Sequence, residues 1–102
     1  MNRLDRRAEI ESALRRLAPR IPDHELGAVV DHALQSKGLR SAAPENAAWL
    51  SLVAYVRHAL TDYDALLAEG YDNDSARFFV AEEMQEILRG WGVRRPLGKE
   101  ER

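Results

Sequence analysis

Apolar residues recur at helical spacing along nearly the whole chain. Ile10, Leu14 and Leu17 share one helical face, and Leu26, Val29, Val30, Ala33 and Leu34 form a broader stripe. Trp49, Val53, Val56, Leu60, Tyr63 and Leu67 then follow at steps of 4, 3, 4, 3 and 4, and Arg77, Val80, Met84, Ile87 and Trp91 at 3, 4, 3 and 4. Steps of this size stack side chains along one side of an α-helix. No stretch of four or more residues alternates like a strand while being rich in Val, Ile, Thr or aromatics. The pattern predicts an all-α, four-helix domain over residues 1–91, with helices near 5–18, 23–36, 44–69 and 73–91 and a loose tail over 92–102.

Punctuation supports these limits. Pro19 and Pro22 separate the first two helices, Gly38 suits a helix stop, and Pro44 suits a first helical position. Asp72 or Asp74 is placed to cap the last helix after Gly70. The unbroken seam through Thr61 favours one long third helix, roughly 39 Å at about 1.5 Å per residue. Thr61-Asp62-Tyr63-Asp64 also reads as a fresh capping box, and a bend there would keep the domain compact. The short link at Gly70 predicts an antiparallel hairpin of the last two helices. Its register sets Ile87 near Val53, Val80 near Leu60 and Arg77 near Asp64. In the first helix Arg3, Arg6 and Arg7 share the face of Ile10 and Leu14, so its first turn is expected to overhang the core.

Composition sharpens this picture. The 102 residues are 45% hydrophobic and 31% charged, a globular balance sufficient for one core. The absence of cysteine removes disulfides and thiolate metal sites. No apolar run approaches a membrane span and no signal region opens the chain, so a cytoplasmic location is expected. The net charge of −2 is unevenly placed: residues 1–20 and 89–102 each carry +3, and the middle carries −8. Basic ends suit nucleic-acid contact, whereas thirteen arginines against two lysines also suit a simple coding bias.

Three features depart from a plain amphipathic plan. Arg77 occupies a seam position, where a charge is costly unless paired, and Asp64 is the expected partner. Arg57-His58-x-x-Thr61-Asp62-Tyr63-Asp64 concentrates polar chemistry on one segment. On a continuous helix His58 and Asp62 share one flank, while Arg57, Thr61 and Asp64 share the other. An acid beside an imidazole can tune it for acid–base work, and the bland alternative is a surface i,i+4 hydrogen bond. Phe78, with Arg89 on the same outer face of the last helix, marks a candidate interface.

The string Ala54-Tyr55-Val56-Arg57-His58, followed by Thr61-x-Tyr63-Asp64-x-Leu66, Ala76-Arg77, Val80, Leu88 and Trp91, resembles domain-of-unknown-function family 2293 over roughly residues 44–91. The resemblance implies no activity. It implies that Arg57, His58, Thr61, Tyr63, Asp64 and Arg77 belong together, as the hairpin register also suggests.

No catalytic, phosphate-binding or metal motif accompanies these residues. His24 and His32 stand eight apart, the serines sit in no nucleophile elbow, and Gly90, Gly92 and Gly98 follow a helix rather than a strand. The expectation is an uncharacterised, non-enzymatic protein-interaction or self-association module without a cofactor, metal or membrane contact. The alternative is nucleic-acid binding through Arg3, Arg6, Arg7, Arg15, Arg16, Arg20, Arg94 and Arg95.

Overall fold

The computed structural model describes residues 3–98 and 101. Five α-helices are present: α1 (Arg3–Leu17), α2 (Asp23–Gln35), α3 (Pro44–Leu60), α4 (Tyr63–Ala68) and α5 (Asn73–Gly90), with a short 3-10 turn at Lys37–Leu39 between α2 and α3. No strand occurs among the described residues. The all-α expectation holds, and Pro44 opens α3 as its fixed φ favours.

α3 is the central element, packed against α1, α2 and α5. Its Trp49, Leu52, Val53 and Val56 meet Ile10 and Leu14 of α1, Leu26, Val29 and Val30 of α2, and Met84 and Leu88 of α5 in one buried cluster. Helical spacing singled out all of these positions except Leu52 and Leu88.

The third helix is not continuous. It stops at Leu60, and Thr61 is extended at φ −130° and ψ 173° before α4 begins. Neither proline nor glycine makes the break. The Thr61 hydroxyl donates to the Arg57 carbonyl and accepts the Tyr63 N–H at 3.2 Å, serving the end of α3 and the start of α4 together. Tyr63 nevertheless stays inward at 4% exposure, so the seam keeps its phase while the helix axis changes. A straight rod to residue 69 would run nearly the length of a molecule that measures 42 × 27 × 24 Å. Breaking at Thr61 lets α4 pack on α5 instead.

The tail also departs from expectation, because Val93 and Leu97 are buried in the core rather than loose. The cause lies at the end of α5. Gly92 takes φ +89°, its N–H donates to the Arg89 carbonyl at 3.0 Å, and the Val93 N–H donates to the Leu88 carbonyl at 3.0 Å. This paired closure reverses the chain and delivers the following apolar residue to the core. The site also demands glycine for space, since a Cβ there would stand 3.0 Å from Pro19 Cδ. Gly70, at φ +106°, ends α4 in the same manner, with Tyr71 N–H reaching the Leu66 carbonyl at 3.2 Å.

The start of α1 is tied rather than overhanging. Arg6 donates to the Leu39 carbonyl at 2.8 Å, and Arg7 bonds Asp31 at 3.0 Å. The Arg3 side chain lies outside the described residues.

Candidate functional site

Two surfaces compete for a functional role: the polar junction between α3 and α4, and the outer side of α5. The junction grows from the Thr61 break. Because α4 starts anew after Thr61, Asp64 rather than Asp62 turns toward His58. Asp64 Oδ1 lies 2.7 Å from His58 Nδ1, while Asp62 is exposed. The His58–Asp62 pairing expected on a continuous helix is therefore replaced by a pair six residues apart. The bridge expected between Arg77 and Asp64 is likewise not among the ion pairs of the described residues.

Tyr63 is the hub. Its ring lies edge-on to His58, with centroids 5.2 Å apart, and under the Arg57 guanidinium at 5.6 Å. Its hydroxyl donates to Asn73 Oδ1 at 3.3 Å, joining α4 to the first residue of α5. Arg57 is 8% exposed and donates to the Glu101 carbonyl. Burial, and then the like charge of Arg77, lower its pKa from the usual guanidinium range. Arg77 is half-buried and thus belongs with Arg57, as its seam position suggested. Glu101 also accepts from Trp49 Nε1, and Arg95 stacks over the Trp49 ring at 4.4 Å. The tail thus reaches Arg57 of the junction through Glu101, a contact that sequence spacing did not reveal.

The His58–Asp64 pair has the form of an acid–base dyad, but both side chains stand in solvent, at 51% and 62% exposure. General acid–base chemistry needs a substrate held within hydrogen-bond reach. A cleft of about 700 Å³ lies on α5, and of the junction residues only Arg77 lines it. Among the described residues, no group of three His, Cys, Asp or Glu side chains gathers to hold a metal.

The outer side of α5 is built oppositely. Val80, Met84 and Leu88 take its inner face, which leaves Phe78 at 79% and Phe79 at 57% exposure. Phe78 and Phe79 meet edge to face with centroids 6.0 Å apart, and Phe79 meets Tyr71 at 5.4 Å. Tyr71 is itself 44% exposed. The cleft along this side is lined by Phe78 and Phe79, then by Ala81, Glu82, Gln85 and Glu86, and closes at Arg89. Phe78 and Arg89, singled out from the sequence, both belong to this surface. Phe79 and Tyr71 were missed, though two adjacent phenylalanines cannot both enter one helical seam.

Fold and site together describe a small helical scaffold with a braced kink and an exposed aromatic face. The family model described as "Uncharacterized conserved protein (DUF2293)" matches residues 13–92, and the chain belongs to that family. No curated protein and no solved structure matches the chain. The matched span includes the junction and the aromatic face.

Proposed function

We propose that the protein is a non-enzymatic interaction module whose working surface is the outer side of α5, where it docks another protein or a second copy of itself. The observation that carries this is the exposed aromatic trio of Tyr71, Phe78 and Phe79, its rings packed edge to face. Single exposed apolar residues are common on soluble proteins, whereas a contiguous group marks an association surface. Burying one such side chain against a partner contributes about 1.5–3 kcal/mol. The contrast with the junction supports the same function, because there the polar groups meet one another and the tail.

Nucleic-acid contact through the basic ends is the second candidate, and the arginines concerned are largely occupied. Arg7 pairs with Asp31, Arg16 with Glu45 at 2.9 Å, and Arg20 donates to the carbonyls of Arg89 and Gly90. Arg6 holds the Leu39 carbonyl and Arg95 lies on Trp49. Phosphate binding relies on clustered cations free to release counterions, so these contacts favour the docking function.

The test is the double variant Phe78→Ser/Phe79→Ser. It should keep the helical content and melting temperature of the parent chain. Association should fall at least about tenfold, read by light scattering over a concentration series for self-association and by quantitative affinity capture for other partners. Unchanged association in the variant would overturn the proposal.

A further inference from the structure

The outer side of α5 also carries a charge pattern that defines the chemistry of its occupant. Its amino-terminal half presents Phe78 and Phe79, and the next two turns present Glu82, Glu83 and Glu86, all exposed. Asp74 and Arg77 line the cleft at its amino-terminal end, and Arg89 lines it at the other. The surface is thus an apolar anchor followed by an acidic stretch, with Asp74, Glu82, Glu83 and Glu86 outweighing Arg77 and Arg89.

Such an ordered face is a poor match for itself. A two-fold contact brings the same patch of two copies together. Paired antiparallel, the aromatic half of one α5 meets the carboxylates of the other. Paired parallel, carboxylate meets carboxylate and Glu82 lies beside its own symmetry mate. In either arrangement two faces of net negative charge are brought together, which disfavours association. The same carboxylates repel a phosphate backbone or an anionic lipid surface.

We infer that the occupant of this face is a basic amphipathic helical segment of another protein. Its apolar residues seat on Phe78 and Phe79, and its lysines or arginines meet Glu82, Glu83 and Glu86. This is the mode in which an amphipathic helix lays its apolar face in a groove, with charge fixing direction and partner choice. The inference rests on the docking function proposed above and narrows its partner.

The test uses the full chain and two labelled amphipathic helical peptides, one of leucine and lysine and one of leucine and glutamate. Binding is followed by fluorescence anisotropy and mapped by backbone amide shifts. The lysine peptide should bind at least about tenfold tighter than the glutamate peptide, weaken with added salt, and shift the α5 amides most. Phe78→Ser should weaken binding about tenfold while keeping the charge preference. The pair Glu82→Lys/Glu86→Lys should invert that preference. The inference is overturned by equal binding of the two peptides, by shifts centred away from α5, or by an unchanged lysine preference in the charge-reversed variant. Association found only between copies of this chain, and lost with Phe78 and Phe79, would sustain the docking function and overturn this narrower inference.

Discussion

The junction around Thr61 and the outer side of α5 are both polar-rimmed and both carry aromatic rings, yet they spend those groups differently. At the junction Tyr63 is enclosed, its hydroxyl meets Asn73, and its ring supports Arg57 and His58. On α5 and just before it, the rings of Tyr71, Phe78 and Phe79 meet one another edge to face and remain exposed. A network of mutual contacts marks a brace, and exposed apolar surface marks a place left for something else. Residue chemistry alone pointed to the junction, with its histidine and carboxylates, as the more eventful region. Geometry shifts attention to α5.

Substitutions should separate the two regions by what they damage. The largest effect is expected at Trp49, which is 1% exposed and lies under Arg95 and Glu101. Trp49→Ala should cost about 3–5 kcal/mol through lost burial and the cavity left behind, read by chemical denaturation. A cost near zero would mean that the tail and core are far looser than described. Next comes Thr61→Val, which keeps the shape but removes both hydroxyl bonds at the break. It should cost about 1–2 kcal/mol, and no loss would show that the kink is held by packing alone.

A smaller effect is expected from alkali. Tyr55 on α3 interacts with the Glu25 carboxylate of α2, and that polar interaction, then burial, then the carboxylate charge push its pKa up to about 12. The folded state therefore holds the phenolic proton more tightly than the unfolded chain, whose tyrosine titrates at its ordinary value of 10.0. The stability this contributes is fully present below pH 10 and is lost as pH rises toward 12. A Tyr55→Phe chain should lack that component of the alkaline fall, as measured by stability against pH. Last, Phe78→Ser/Phe79→Ser should change stability by no more than about 0.5 kcal/mol, since these side chains have little burial to lose. A larger loss would place the aromatic face with the brace and erase the contrast.

Much of the core was legible because helical period alone sorts inside from outside. Val80 and Met84 on α5, and Trp49, Val53 and Val56 on α3, lie buried where their spacing puts them, whereas Leu88 takes the buried place expected for Ile87. The break at Thr61 was visible only as an alternative, because the apolar phase runs through it without interruption. What ends α3 is one hydroxyl serving two backbone groups, a local bond that periodicity does not register. The packed tail was missed for a related reason. Val93 and Leu97 are too few to make a stripe, and the Gly92 closure that delivers them is a matter of backbone geometry.

The candidate site was legible in membership and not in pairing. Arg57, His58, Thr61, Tyr63, Asp64 and Arg77 do gather, but counting along one helix chose Asp62 for His58, and the hairpin register chose Asp64 for Arg77. The axis change at residue 61 reassigns Asp64 to His58. On α5, Phe78 was recognised by its place off the seam. Phe79 joins it because the buried face is already filled by its neighbours, and Tyr71 because the Gly70 turn brings it alongside Phe79.

The most direct measurement compares intermolecular contact at the two regions themselves. A photoreactive phenylalanine analogue is placed at Phe78 in one chain and at His58 in another, both exposed positions, and covalent adducts are quantified after irradiation in cells. If α5 is the docking surface and the junction a brace, the chain labelled at 78 gives discrete protein adducts and the chain labelled at 58 gives none above background. Adducts of equal yield at both positions, or at 58 alone, would contradict the account.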